Sequence, residues 1–291
     1  MNAATQDPRY YIPHGTHWPI LGSIGLFSIV IGVSLELNQI ASGSWIAVFG
    51  VIVLAVMLFG WFGTVINESQ KGLYNDQVDR SFRWGMSWFI FSEVVFFGAF
   101  FGALFYARQL IVPWLAGEGN NFYTNLLLWE GFENAWPSAG PAGGAGEFEI
   151  IPAWGVPALN TAILLTSGVT LTVAHHALRA DKRLKLAVWL GATFVLGFLF
   201  LGLQAEEYVH AYTELNLRLD TAGIYGSTFF MLTGFHGLHV LLGSIMLLVI
   251  WLRALRGHFT PSRHFAFEAV AWYWHFVDVV WLGLFIFVYW L

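Results

Sequence analysis

The sequence predicts an all-α integral membrane protein with seven transmembrane helices, and three observations carry that prediction. Hydrophobic residues fill 57% of the 291 positions and charged residues only 11%, against about a quarter charged in soluble domains. Such a chain needs an apolar solvent. Seven segments, at 18–37, 46–66, 84–112, 157–178, 186–203, 224–255 and 265–291, supply the roughly 20 mainly apolar residues that crossing about 30 Å of hydrocarbon requires. The 31 glycines agree, because glycine is commoner in membrane helices than in soluble ones.

The arm at 1–17 is polar and carries Pro8 and Pro13. It lacks the basic stretch and apolar core of a secretory signal, so the first span is expected to stay in the mature chain. The first and second spans are joined by a short turn around Ser42 to Ser44. A polar link at 67–83 then separates 18–66 from 84–291 and is the expected boundary between two helix groups. The long loop at 113–155 holds Trp136, Pro137, Pro141, Gly143, Gly144 and Gly146, a composition that argues against a further helix and for an external cap.

Orientation follows from Lys and Arg, which accumulate on the cytoplasmic side. With the N-terminus inside, that face holds Arg9, Lys71, Arg80, Arg83, Arg179, Lys182, Arg183, Lys185, Arg253, Arg256 and Arg263, and only Arg108 and Arg218 fall outside. The outer loops carry Glu118, Glu130, Glu133, Glu147, Glu149, Glu206, Glu207, Glu214 and Asp220. The N-terminus is therefore expected inside and the C-terminus outside.

Ionisable groups within a bilayer cost about 2.5–3.5 kcal/mol each on insertion scales, so each asks for a partner or a purpose. Glu93 lies about nine residues, or about 14 Å, into the third span and so near the midplane. A carboxyl isolated there is expected to be protonated unless a donor or cation holds its charge. A neutral Glu93 hydrogen-bonded between helices is the favoured expectation, and proton exchange is the alternative. His236 and His239 stand at i, i+3 on one face of the sixth span, and His175 and His176 are adjacent in the fourth. For all four, interhelical hydrogen bonding is expected rather than a metal, because further ligands are missing. The chain has no cysteine, so thiolate metal sites and disulfides are excluded. In the seventh span His275 and Asp278, again at i, i+3, are expected to hydrogen-bond locally. The one Glu-x-x-His pair, Glu207 with His210, falls short of the two such pairs and two further Glu that a di-metal bundle needs.

Packing is the expectation for the remaining polar and small residues. Gly98 and Gly102 form a Gly-x-x-x-Gly pair that would let another helix approach. Asn160, Thr161, Thr166, Ser167, Thr170 and Thr172 offer hydrogen bonds from the fourth span. Trp18, Trp45, Trp84, Trp114 and Trp290 mark span ends, where amphipathic rings suit the interface.

Several stretches together resemble cytochrome c oxidase subunit III. They are Ser92-Glu93-Val94-Val95-Phe96-Phe97, the Trp136-Pro137 loop, Ala174-His175-His176-Ala177-Leu178, Leu203-Gln204-Ala205-Glu206-Glu207-Tyr208, Tyr225-Gly226-Ser227-Thr228-Phe229-Phe230, His236-Gly237-Leu238-His239 and the run from Phe267 to Asp278. At the N-terminus, His14-Gly15-Thr16-His17-Trp18-Pro19 suits the family's arm. The resemblance implies a bacterial aa3-type subunit in a plasma membrane in preference to a mitochondrial one, with helices 1–2 and 3–7 splayed as a V whose cleft holds phospholipid. Lipid contacts so implied are Trp61 and Glu68 on one arm with Arg253, His264 and Phe265 on the other. Haem a, haem a3 and copper would belong to subunits I and II, which pass electrons from cytochrome c to dioxygen and pump protons, while this chain carries no redox centre and no metal. Its implied roles are core stabilisation, lipid binding, and help with proton uptake or oxygen access, with no nucleic-acid partner. The Tyr212 to Gly223 segment, the Gly-rich outer loop and Lys71-Gly72-Leu73-Tyr74 depart from the pattern. The alternatives are subunit III of a quinol oxidase, whose members usually lack the first two spans, and a proton-coupled transporter, which would show broken helices and repeat symmetry.

Overall fold

A computed structural model describes residue 11, residues 15–143 and residues 146–291. Pro8, Arg9, Pro13, His14 and Gly144 lie outside the described residues. The described chain is helical, with a single isolated β-bridge between Thr260 and Arg263 in place of any strand. Seven of its helices are long and apolar enough to cross a membrane. The spans are α1 (Trp18–Leu37), α2 (Gly43–Gln70), α3 (Asp76–Tyr106) with its continuation α4 (Val112–Leu115), then α6 (Val156–Arg179), α7 (Arg183–Thr213), α8 (Gly223–Leu255) and α9 (Phe265–Leu284). A short helix, α5 (Phe122–Leu128), stands between α4 and α6.

Two expectations about connections need correction. The link at 67–83 is helical except for 71–75, because Asn75 accepts hydrogen bonds from the Gln77 and Val78 N–H groups and starts α3 at once. The outer loop also contains a helix after all. The α5 turns are anchored by the Asn125 side-chain amide, which donates to the Leu115, Trp129 and Phe132 carbonyls, and loop composition gives no sign of that anchoring. The other ends fit the sequence more closely: Pro157 opens α6, where its missing N–H costs nothing.

Close approaches divide the chain into two units, Met1–Trp84 and Gly85–Leu291. In the first, α1 and α2 pair through glycines. A Cβ on Gly50 would stand 2.7 Å from the Gly25 carbonyl oxygen and from the Ile29 nitrogen, and one on Gly32 would collide with the Ala47 backbone. The turn between the helices is closed by Glu36, whose carboxylate accepts from the Ser44 N–H at 3.1 Å and the Ser44 hydroxyl at 2.5 Å. Large apolar side chains such as Ile20, Phe27, Phe59 and Phe62 remain exposed here, as a lipid-facing surface requires.

In the second unit α6, α7, α8 and α9 form a closed cluster, each packed on the next and α9 on α6. Its centre is Trp274, Trp281, Phe200, Phe229, Leu171 and Leu247, all fully buried. Small residues admit the large ones: Cβ atoms on Gly197 and Gly243 would meet the Trp274 ring at 2.6 Å and 2.8 Å. The Gly85–Tyr106 stretch of α3 makes no such close backbone pairing. It reaches α8, α9 and the residues just after α9 through long rings instead, with Phe96 on Phe235, Phe97 on Phe276, and Phe101 on Phe287. Among the described residues of this chain no helix packs on Gly98 or Gly102, where a Cβ would meet nothing within 4 Å.

Candidate functional site

Glu93 is not isolated. Its Oε2 lies 2.8 Å from Nε2 of His239, so α3 and α8 are joined at mid-span by a carboxyl and an imidazole. The other ring nitrogen, Nδ1, lies 2.7 Å from the Phe235 carbonyl one turn earlier. A carbonyl can only accept, so Nδ1 carries the hydrogen. One proton is then left between Nε2 and the carboxyl, and the pair is neutral as a whole whichever atom holds it. Rings of Phe97, Phe96 and Tyr273 stand 4.9, 6.0 and 6.2 Å from that of His239 and form its walls.

His236 takes a different partner despite sharing a face with His239. Its Nε2 is 3.2 Å from the Val277 carbonyl of α9, which makes Nε2 the donor, and its ring packs 5.1 Å from that of Trp281. The i, i+3 spacing thus serves two neighbours instead of one ligand. His275 and Asp278 approach to 3.6 Å, beyond hydrogen-bond reach, and His275 is half-buried while Asp278 is buried. The polar residues of α6 behave as expected at three positions. Thr161 accepts from the Trp281 indole N–H at 2.9 Å, Ser167 from that of Trp274 at 2.9 Å, and Thr170 pairs with Thr193 at 2.9 Å. Thr166 and Thr172 bond to carbonyls of their own helix, and Asn160 is fully buried.

Sequence reasoning missed Glu207. It is buried in α7 and accepts a hydrogen bond from the Tyr289 hydroxyl at 2.6 Å, with Tyr208 bonded to Thr233 beside it at 2.7 Å. The available signal was helical period. Thr193, Gly197, Phe200, Gln204, Glu207 and Ala211 form the buried stripe of α7, which places Glu207 inward and lets His210 turn outward to Glu214 at 3.2 Å.

A seven-helix fold with a carboxyl–histidine bridge is now in hand, and comparison with known proteins gives it a family. The family model for Cytochrome c oxidase subunit III matches residues 9–117 and 129–291. The chain belongs to the cytochrome c oxidase subunit III family. It is 37% identical to Cytochrome c oxidase subunit 3 of Marchantia polymorpha over 99% of this chain and 98% of that protein. The corresponding protein of Carassius auratus is 38% identical over 99% and 98%, and that of Equus caballus 37% over 98% and 98%. The chain is thus a multi-pass membrane subunit of a cytochrome c oxidase.

The subunit III match includes the Tyr212 to Gly223 segment, which departs from the family pattern on its residues alone. That segment folds back on the outer loop: the Glu149 N–H donates to the Leu215 carbonyl at 2.9 Å, and the Asn216 amide to the Glu147 carbonyl at 3.0 Å. Residues 1–8 and 118–128, the latter around α5, are left unmatched.

The residues expected to meet lipid are distributed over both units. In the first, Trp61 is exposed, and Glu68 accepts from the Tyr74 hydroxyl at 2.7 Å. Burial, with Glu68 beside it, pushes the Tyr74 hydroxyl above its ordinary range. In the second, Arg253 is buried with its guanidinium 4.7 Å from the centre of the Phe259 ring, a cation–π contact. His258 nearby is pushed below its usual value by burial and then by Arg253 and Arg256, so this end of α8 is electropositive. Phe265 opens α9 with its ring against Trp272. His264 turns inward: Nδ1 lies 3.1 Å from the Thr260 carbonyl and Nε2 lies 3.1 Å from Oε1 of Glu268. His175 of α6 faces the same carboxylate at 3.8 Å, and its Nε2 has no hydrogen-bond partner, contrary to the interhelical hydrogen bond expected of it.

Proposed function

We propose that this chain is an accessory, non-redox subunit of a proton-pumping cytochrome c oxidase. In that assembly haem a, haem a3 and copper reside in subunits I and II, which carry electrons from cytochrome c to dioxygen. This chain stabilises them and holds structural phospholipid. The observation that carries the proposal is the match over nearly the whole length to proteins named Cytochrome c oxidase subunit 3. Side-chain chemistry supports the non-redox part. Both nitrogens of His239 are engaged, and His236 donates through Nε2.

The proposed orientation is N-terminus inside and C-terminus outside, supported by the cation asymmetry of the loops. The arm at 1–17 and the link at 67–83 then lie inside, the loop at 113–155 lies outside, and 18–66 and 84–291 act as two transmembrane groups. A bacterial plasma membrane is the proposed location. Its support is that identities to land-plant and vertebrate relatives are nearly equal, 37% and 38%, as for a chain outside both lineages. For lipid we assign Trp61 and Glu68 in the first unit and Arg253, His264 and Phe265 in the second, supported by the electropositive end of α8, where cations suit an anionic head group.

Glu93 is assigned a structural role, as the hydrogen-bonded neutral partner of His239. A second reading, in which it exchanges protons in support of uptake, is favoured by one observation: a single proton is shared between two basic atoms at 2.8 Å. Guidance of oxygen through bound lipid belongs to the same supporting role.

The test is purification through a tag on this chain. The expected product contains haem a and copper and oxidises cytochrome c, and the chain separated from its partners shows no Soret band and binds no stoichiometric copper. A Soret band on the separated chain that survives mutation of His236 and His239 overturns the non-redox assignment. Oxidation of quinol in place of cytochrome c selects the quinol-oxidase alternative, and a preparation without haem selects the transporter.

A further inference from the structure

The outer loop carries a helix that the family pattern does not require. The match to subunit III stops at 117 and resumes at 129, and α5 (Phe122–Leu128) fills the gap. Seven residues are too few for a helix to persist unaided in water, so the surrounding fold holds this one in shape. The Asn125 amide does so by donating to the Leu115, Trp129 and Phe132 carbonyls at 3.2, 3.1 and 3.0 Å. Gly117, at φ +88°, makes room for that side chain: a Cβ there would lie 2.9 Å from the Asn125 Cβ.

What is held in place is apolar and faces away from the rest of the chain. At about 100° per residue, Phe122, Leu126, Tyr123 and Leu127 share an arc of about 140°, wide enough for the apolar stripe of an amphipathic helix. These four, with Leu128 at the helix end, are between 44% and 73% exposed. Thr124 and Asn125 are partly buried and take the inward side.

Depth follows from the span to which α5 is tied. Trp88 and Trp114 are both exposed and stand 26 residues apart, or about 39 Å along a helix rising about 1.5 Å per residue. That length exceeds the hydrocarbon core of about 30 Å and nearly equals the bilayer with its head groups, about 40–45 Å. Trp114 and Leu115 therefore reach the head-group level, where indole rings are favoured. Hydrogen-bonded to Leu115, α5 lies at that level too. Exposed Phe105 and Tyr106 bring the lipid-facing surface of the span up to it without a break.

Charge selects the kind of lipid. No Lys or Arg occurs between Arg108 and Arg179, while Glu118, Glu130 and Glu133 flank α5. Anionic lipid attracts basic segments and repels this acidic one. Attachment has to come from apolar burial alone, which an uncharged or zwitterionic leaflet allows.

We infer that α5 is an in-plane interfacial helix, seating Phe122, Tyr123, Leu126 and Leu127 among zwitterionic phospholipids of the leaflet on its own side, which is the outer one in the proposed orientation. It fastens the outer loop to the membrane surface. The four side chains belong to none of the lipid contacts assigned above, and they lie in a stretch outside the family match.

The experiment uses the whole oxidase complex in phosphatidylcholine vesicles. This chain has no cysteine, so Leu127→Cys and Glu130→Cys each give it one thiol for a nitroxide label, and wild-type complex treated alike supplies the background from partner subunits. Accessibility is read by power saturation with oxygen, which concentrates in lipid, and with a water-soluble nickel chelate. The oxygen-to-nickel ratio should be severalfold higher at 127 than at 130, and adding phosphatidylglycerol to the vesicles should not raise it. A ratio at 127 no higher than at 130 places α5 in water and overturns the proposal. A label at 127 shielded from both reagents means that a protein partner covers α5, which overturns it equally. A severalfold rise with phosphatidylglycerol overturns the choice of zwitterionic lipid. The wild-type complex is tested in parallel with a phosphatidylcholine bearing a diazirine near the head-group end of one acyl chain. Its adducts, mapped by mass spectrometry, should include 122–128; adducts on the spans with none on α5 refute the assignment even where a variant fails to assemble. Haem content, measured on the same samples, reports separately on the proposed function.

Discussion

Glu93→Ala should destabilise the second unit, whereas Glu93→Gln should scarcely do so. The side chains of Glu93 and His239 are 20% and 11% exposed, so removing the carboxyl leaves Nε2 of His239 with little access to any other donor. An unsatisfied buried polar group costs about 1–3 kcal/mol. Hydrogen bonds measured in membrane helices average about 0.6 kcal/mol and reach about 1.7, because the unfolded chain in lipid also finds partners. We therefore expect about 1–2 kcal/mol for Glu93→Ala. Glutamine can donate its amide to the Nε2 lone pair, because Phe235 keeps the ring hydrogen on Nδ1, and its cost should stay below about 0.5 kcal/mol. At about 2–4 °C per kcal/mol for a unit of this size, the alanine variant should lose subunit III from the purified complex at a temperature roughly 2–8 °C lower. A double-mutant cycle with His239→Ala should return a coupling near the alanine cost. Turnover and pumped protons per electron should be unchanged in Glu93→Gln. If that variant instead slows oxygen consumption severalfold with normal subunit content, or if the cycle shows no coupling, the structural assignment is wrong and the shared proton is functional.

Three further outcomes follow from the geometry. Arg253→Ala should lower the lipid phosphorus that copurifies with the complex, and His264→Ala should lower it less, since the His264 nitrogens face Thr260 and Glu268; unchanged phosphorus in both variants and in their combination counts against the lipid assignment. Gly32→Ala should part α1 from α2 and cost about 1–3 kcal/mol as overpacking, seen as faster proteolysis of the first unit, whereas Gly98→Ala meets no atom within 4 Å in this chain and should leave that rate alone. Trp274→Phe forfeits the bond to Ser167 at 2.9 Å and should cost about 1 kcal/mol plus a packing loss, measurable as a lower thermal midpoint that Ser167→Ala does not lower further.

Much of the architecture was legible because a membrane imposes a local rule. Each span must satisfy its own backbone hydrogen bonds and present apolar side chains over its length, so a window of about 20 residues contains the whole signal. The first span came out at the same bounds in sequence and structure, Trp18–Leu37. The ends of α2, α3 and α7 ran longer than expected, because a helix continues past the apolar window as long as its own backbone hydrogen bonds are made, and at α3 a polar residue caps the extension. That residue is Asn75, and Asp79 with Arg83 at 2.7 Å supports the first turns of α3. The short helix α5 was missed because the Asn125 contacts that hold it are side chain to backbone and leave no periodic trace.

The amino-acid sequence by itself determined the solvent of this protein, the number of its spans, the residues too polar to sit in lipid without a partner, and, through its motifs, its family. Tertiary structure alone decided who those partners are. Glu93 meets His239 across 146 positions, Glu207 meets Tyr289 across 82, and His236 and His239, one turn apart on one face, are sent to different helices. It also decided that Gly25, Gly32 and Gly50 admit a neighbouring helix of this chain, while no described residue of the chain packs on Gly98 or Gly102. Helical period says which side of a span a residue occupies, because that is a property of one helix. What stands opposite depends on how several helices pack together, and that packing is settled by the fit of rings such as Trp274 and Trp281 into gaps left by small residues on other spans.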